Sequence, residues 1–378
     1  MPSRRTVVLG TAVTAALGAT SLRSARAQKL PSSSVWTAYD LGSSGYVEAS
    51  AIAEALQKQN PIRVRIMPSG TSIGRLLPIK QGRANYGFLA NELYFATEGT
   101  EDFAAESWGP QDLRVVLARP ATNGLAMAKD TGMTKMSELK GKRIGYVKGN
   151  PSVNVKNQAY LDFAGLTEKD IEVVWFGSYN AMKTAIVNNQ LDGMGSVTTS
   201  ANMREIEASP RGLIWPPFPA DDKAGWARMQ KRLDFLEPRR ETAGAGIPPG
   251  GVELIGIRYP MITTYAKTSD DEVYALVKAV DAGMDEIAGT TGSSANWAPK
   301  MSGLPRADAP FHDGTIRYMK EKGWWTAEAD AWQAKRLARL KKVMAGWTEA
   351  RKEFKGKPED QWEAFWTDYR AKHLSADA

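Results

Sequence analysis

Residues 143–152 read Arg143-Ile144-Gly145-Tyr146-Val147-Lys148-Gly149-Asn150-Pro151-Ser152. The β-branched and aromatic run at its start reads as a buried strand. It empties into a short polar loop. Asn150 then stands at an N-cap position and Pro151 at the first helical position, which opens a helix over 153–163. Two earlier stretches repeat the device. Val35-Trp36-Thr37-Ala38-Tyr39 runs into Gly42-Ser43-Ser44-Gly45, and residues 62–67 run into Ser69-Gly70-Thr71-Ser72. Each loop presents backbone N–H groups at a helix start, with the positive end of the helix dipole behind them. Small side chains let a ligand approach that backbone closely. The pattern points to a small, anionic solute as the ligand.

Working outward, the order of strand and helix patterns is that of an α/β fold with a mostly parallel sheet. Residues 45–59 place Val47, Ala51, Ile52, Ala55 and Leu56 on one helical face. A strand over 63–66 follows, then a helix over 72–81 that stops at Gly82 and that Pro78 should kink or shorten. A buried strand over 86–90 ends at Asn91-Glu92, and two separate strands follow over 114–118 and 125–128. A second sheet is expected from 144–147, 172–176 and 193–197, with a helix over 180–189. Residues 216–260 hold Pro216-Pro217, Pro248-Pro249 and Gly250-Gly251, and read as an irregular return crossover. A strand over 261–266 and one long helix over 270–287 complete the body. The last helices, 327–354 and 359–373, carry Trp332, Trp347, Trp362 and Trp366. They are expected to lay those rings against the body with charges outward, the sharper alternative being a docking surface for a partner.

The N-terminus has the make-up of an export signal. Arg4 and Arg5 precede a mildly apolar stretch over 6–22, and Ala25-Arg26-Ala27 fits a cleavage site after Ala27. The segment around the paired arginines resembles a twin-arginine signal. Residues 1–27 are therefore assigned as a signal peptide and the protein to the periplasm. The formal charge of +7 falls to +3 without that leader, 45 basic residues against 42 acidic, and the remaining charges are interspersed. A nucleic-acid partner, which needs a basic face, is not expected. The chain has no cysteine, so no disulfide supports the core, and a mature chain of about 350 residues is expected to divide into two domains.

Enzyme chemistry finds little support. The two histidines, His312 and His373, lie far apart without metal-ligand spacing. No nucleophile elbow or phosphate loop is present. Asp192 reads as a turn or cap residue and Asp221-Asp222 as solvated. The chain is expected to have no catalytic residue, no metal site and no cofactor.

Six segments in order resemble the TAXI-type solute receptors of tripartite ATP-independent periplasmic (TRAP) transporters. They are residues 67–72; Gln81-Gly82-Arg83-Ala84-Asn85-Tyr86-Gly87; Leu139-Lys140-Gly141-Lys142-Arg143; Asn189-Gln190-Leu191-Asp192-Gly193; residues 271–276; and Pro310-Phe311-His312-Asp313-Gly314-Thr315-Ile316-Arg317-Tyr318. The resemblance spans about 35–325. Asn85 stands where that family usually has Asp, and Asn91-Glu92 where Gln or Ser is common. The resemblance implies a type II periplasmic binding-protein fold, with two α/β lobes joined by two crossover segments and an added C-terminal helical extension. Lobe I would comprise 28–120 and 255–325, lobe II 121–254, and the extension 326–378. It implies capture of a small organic acid, a dicarboxylate or acidic amino acid, for delivery to membrane permease subunits without chemistry on the solute. A receptor for an ABC importer or a sensor kinase is the alternative within the class, and an exported enzyme the alternative outside it. The implied ligand-binding residues are Ser43, Ser44, Tyr46, Ser69, Thr71, Ser72, Asn91, Asn150, Ser152 and Asn154, with Thr198 and Thr199 from the far lobe. Ser178 and Tyr179, which open another helix, are lesser candidates.

Overall fold

A computed structural model describes residues 30–303 and 307–375. The signal segment and its cleavage site lie outside the described residues. The chain runs β1 (Ser33–Ala38), α1 (Ser44–Gln59), β2 (Arg63–Pro68), α2 (Ser72–Lys80), β3 (Tyr86–Leu89) and α3 (Glu92–Glu98). The long β4 (Leu113–Ala128) follows, then β5 (Arg143–Val147), α4 (Pro151–Ala164), β6 (Glu172–Phe176), α5 (Tyr179–Val187) and β7 (Gly193–Val197). Next come α6 (Ala201–Ala208), β8 (Leu213–Ile214), α7 (Lys223–Arg232), β9 (Glu237–Glu241) and the long β10 (Val252–Tyr265). The body closes with α8 (Asp270–Ala282), α9 (Met284–Ile287) and α10 (Asp313–Glu321), and α11 (Ala327–Phe354) and α12 (Trp362–His373) are added to it.

One continuous sheet replaces the two expected. Its order is β2-β1-β3-β10-β4-β7-β5-β6, with β8 beside β4 and β9 beside β10. The outer strands are parallel to their neighbours, as βα units require. The two long central strands run antiparallel to each other and to β3 and β7. The first part of β4 pairs with the last part of β10 beside β3, and the last part of β4 pairs with β7. Those two strands cross from one half of the sheet to the other, which is the mixed, two-lobe arrangement of the type II periplasmic binding-protein fold.

Three corrections concern these crossings. Residues 114–118 and 125–128 belong to one strand, because Pro120 sits opposite Arg258 where the β4–β10 register shifts. A proline has no N–H to donate and is tolerated at such an irregularity. The 216–260 region is not an irregular crossover: it carries α7, β9 and the first half of β10. Local Pro and Gly pairs suggested a break, whereas pairing with β4 and β9 supplies the backbone partners. The expected helix over 270–287 is two, divided at Gly283. Pro78 leaves α2 helical to Lys80, two residues beyond it.

The main core includes two aromatic groups, one in which Phe88 contacts both Trp36 and Trp297 and one that links Tyr160, Phe163, Phe218 and Trp226. A second cluster holds the extension: Trp362 and Trp366 are fully buried with Val343, Ala350 and Phe354. The Trp366 indole N–H donates to Gly99 O at 2.6 Å and that of Trp362 to Ala104 O at 2.9 Å. The expected inward tryptophans are thus observed at both positions.

Candidate functional site

The carboxyl ends of β1, β3, β5 and β7 face one crevice between the sheet halves. In open α/β sheets ligands settle at such ends. Tyr39 follows β1, Ala90 and Asn91 follow β3, Asn150 and Ser152 follow β5, and Ser200 follows β7. The halves meet here directly. Ser72 Oγ donates to Asn150 Oδ1 at 2.7 Å and lies 3.4 Å from Ser152 Oγ. The Asn150 amide also donates to the Tyr39 hydroxyl. Ile73 N donates to Gly149 O at 3.2 Å and Tyr179 N to Gly70 O at 3.3 Å. Asn180 N donates to Asp40 Oδ2 at 3.1 Å. Gly70 permits this approach: a Cβ there would stand 2.7 Å from both Asp40 Oδ2 and Ser178 Cβ.

Behind those contacts lies a cavity of about 30 Å³, room for about two waters. Organic ligands occupy sites of about 300–1,000 Å³, so the halves must part to admit one. Ser43, Ser44 and Ser152 line the cavity. The other lining residues that matter are Tyr39, Tyr179, Tyr259, Lys156, Asn123 and Ser200. Tyr39 and Tyr179 lie 4.8 Å apart between ring centres. Burial pushes the Tyr39 and Tyr179 phenols up, and that of Tyr259 up to about 12, so all three remain neutral hydrogen-bonding groups near pH 7.

A buried polar network borders the cavity. Asn91 donates to Asp308 Oδ2 at 2.6 Å and accepts from Lys156 Nζ at 2.9 Å. Glu92 is fully buried and ion-paired with Arg75 at 2.8 Å, which removes the repulsion a free carboxylate would exert on an acid. The Arg75 guanidinium lies 3.9 Å over the Tyr39 ring. Burial pushes the Asp308 carboxyl up to about 7, and the Lys156 amine down to about 8.

The remaining residues expected at the site are spent elsewhere. Thr71 caps α2 by accepting from Gly74 N at 2.9 Å, and Ser69 Oγ accepts from Thr71 N at 3.4 Å. Asn154 turns back onto Val147, accepting from its N–H at 2.9 Å and donating to its carbonyl at 2.8 Å. Tyr46 is half-buried, and its N–H donates to Ser43 Oγ. Thr198 Oγ1 donates to Glu241 at 3.2 Å, and Thr199 Oγ1 accepts from Ser293 Oγ at 3.4 Å. Ser72, Asn91 and Asn150 join the halves beside the cavity. Of the three loop devices, the first and third therefore border it and the second closes against the third. Tyr179, a lesser candidate from its helix opening, lines the cavity, and Tyr39 ends the first strand run; Tyr259 and Lys156 carry no loop signal in the sequence. Among the described residues no group of His, Asp and Glu is placed to hold a metal ion, and no helix is long and apolar enough to cross a membrane.

Solved structures share this architecture. One described as a periplasmic transporter is 13% identical and has a TM-score of 0.50, covering 80% of this chain and 96% of that chain. The alkanesulfonate-binding protein of Xanthomonas axonopodis pv. citri, bound to MOPS, is 16% identical over 82% of this chain and 94% of that one, with a TM-score of 0.39. A putative periplasmic sulfonate-binding protein of a Methylobacillus flagellatus ABC transporter is 18% identical over 83% and 96%, with a TM-score of 0.41. For the first of these, at 13% identity, the likeness is one of fold. The family model that matches covers residues 41–323 and stops short of α11. It does not name the TAXI-type group that the sequence motifs resemble. With most of its length so matched, the chain belongs to the NMT1-like family.

Proposed function

We propose that this protein is an extracytoplasmic solute receptor that captures a small acid-bearing molecule between two lobes and hands it, unchanged, to a membrane importer. The observation that carries this reading is the cavity at the strand ends, closed by direct hydrogen bonds from Ser72 and Tyr39 on one side to Asn150 and Ser152 on the other. Bonds of that kind, made and broken across a crevice, suit a hinged closure in which ligand contacts replace some of them. Lobe I is assigned to 28–120 and 255–325 and lobe II to 121–254, with the hinge where β4 and β10 cross. The extension is assigned to 326–378, with α11 and α12 as the part that seats on lobe I.

The importer is read as ABC-type, the class named for the sulfonate-binding neighbour. A TRAP-type permease is the second reading, and the six ordered sequence motifs favour it. Reconstitution of the receptor with each class of membrane component separates them: ATP-driven uptake supports the first, uptake driven by an ion gradient the second. The receptor reading itself is tested by mass spectrometry of small molecules released on gentle denaturation of protein purified from its periplasm. A bound, chemically intact acid is expected. Turnover of added acids to products would overturn it.

A further inference from the structure

We propose that the Lys156 ammonium receives the single acid group of the solute, and that Tyr39, Tyr179 and Tyr259 flank a compact apolar or aromatic body beside it. The inference rests on the crevice being the solute site and names the class of ligand it takes: a monoanionic carboxylate or sulfonate.

Lys156 lies one helical turn beyond Ser152 on the same face of α4, so both look into the cavity. It is 6% exposed. An ammonium has three donors, and this one has a single hydrogen-bond partner among the described residues, the neutral Asn91 Oδ1 at 2.9 Å. Among the described residues no carboxylate stands within ion-pair distance of it. The two carboxylates nearby are engaged: Glu92 with Arg75 and with Ala90 N, and Asp308 Oδ2 with the Asn91 amide. A buried cation without a counter-ion is costly. An arriving anion supplies what it lacks. The Ser200 hydroxyl on the cavity wall is likewise buried without a hydrogen-bond partner.

The same inventory argues against the dicarboxylates and acidic amino acids that the family resemblance implies. A second carboxylate would face three neutral phenols with no further unpaired cation on the cavity wall. An α-ammonium would need a carboxylate, and none lines the cavity: Glu92 is paired with Arg75, and Asp308, whose Oδ1 has no hydrogen-bond partner, stands outside its wall. The charged and titratable groups around Lys156 are Glu92 on α3, Asp308 ahead of α10, Arg75 on α2, and the three tyrosines, Tyr39 just after β1, Tyr179 on α5 and Tyr259 on β10. Burial brings Lys156 down to about 8 and Asp308 up to about 7. An anion at the amine holds its proton, so binding at pH 9 takes up a proton.

Calorimetry of the mature protein with phenylacetate, benzenesulfonate, glutarate and phenylalanine tests this. At least one of the two monoacids is expected to bind at pH 7 more tightly than glutarate and phenylalanine, with preference between them separating carboxylate from sulfonate. Lys156→Met and Lys156→Gln are each expected to weaken that binding about a hundredfold while melting as wild type does. At pH 9 the wild type is expected to take up a proton on binding, read from two buffers of different ionisation enthalpy. Preference for glutarate or phenylalanine, or no binding of either monoacid, overturns the ligand class. Unchanged affinity in both Lys156 variants, or no proton uptake, overturns the role of Lys156. Ser152→Trp, which fills the cavity, keeps the two levels apart. If a probe binds that variant as it binds wild type, the crevice reading itself fails. If the variant loses binding and the Lys156 variants keep it, only the present inference fails.

Discussion

The crevice and the seat of the C-terminal extension both bury charge, and they treat it in opposite ways. At the extension, Glu98 on α3 meets Arg339 at 2.7 Å, Arg370 at 3.1 Å and Arg336 at 3.6 Å. Two tryptophan N–H groups there are also satisfied by main-chain carbonyls. At the crevice, Lys156 has one neutral partner, and two Arg75 nitrogens and the Ser200 hydroxyl have no hydrogen-bond partner. A carboxylate met by three guanidinia fixes an element in place, even with one Arg336 nitrogen unpartnered. An unsaturated network beside a cavity holds donors for something that comes and goes. The same residue types thus serve stability in one place and binding in the other, and the number of partners tells the two apart.

The comparison can be broken first at the extension. Trp366→Ala removes a fully buried ring and its bond to Gly99, and is expected to cost about 3–5 kcal/mol, read as a lower denaturation midpoint. Solute affinity of the folded fraction should not change. If affinity falls instead, the extension is part of the binding machinery.

Glu98→Gln comes next, at about 2–3 kcal/mol, because it leaves three guanidinia facing no carboxylate while their partial exposure softens the loss. Burial pushes the Glu98 carboxyl up, but the three guanidinia outweigh it and the net shift is downward. Its stabilisation is therefore full above the unfolded value of 4.5 and is lost as pH falls through the lower folded value. Melting temperature against pH should drop less steeply below pH 4.5 in the variant than in wild type. Equal slopes would contradict the ion-pair account.

At the crevice the expected stability effects are small. Ser72→Ala removes a cross-crevice hydrogen bond worth about 1 kcal/mol, and small-angle scattering of the ligand-free protein should show a larger radius of gyration. An unchanged radius would mean that other contacts alone keep the halves together. Lys156→Met should change stability least, by no more than about 1 kcal/mol and upward, since it removes a poorly partnered buried cation. A clear loss of stability would place Lys156 with Glu98, among the groups that hold the fold.

Much of the architecture was legible locally. The strands ending at Ala38, Leu89, Val147 and Val197, and the helices after the first and third of them, show their hydrophobic period and their starts in the sequence, whereas the helices over 92–98 and 201–208 do not. Ser43, Ser44 and Ser152 were legible at the site for the same reason: they sit in strand-to-helix loops whose chemistry is local. Thr71 and Asn154 carry the same signal and act as caps for their own backbone, because sequence shows that a side chain is able to donate or accept, not where its partner stands. The length of β4 and β10 was hidden by Pro120 and by the Gly/Pro-rich approach to Val252, since pairing with a distant strand supplies what the local run lacks.

The sequence by itself determined the alternating strands and helices, their start signals and the inward tryptophans of the extension, because period and capping depend on neighbours a few residues away. Only the tertiary structure decided that one sheet spans both halves, that α2 and α4 meet across a crevice, and that Lys156 ends up beside three tyrosines with a single partner. Those outcomes depend on residues tens of positions or more apart in the chain, and burial and partner count exist only once the chain has brought them together.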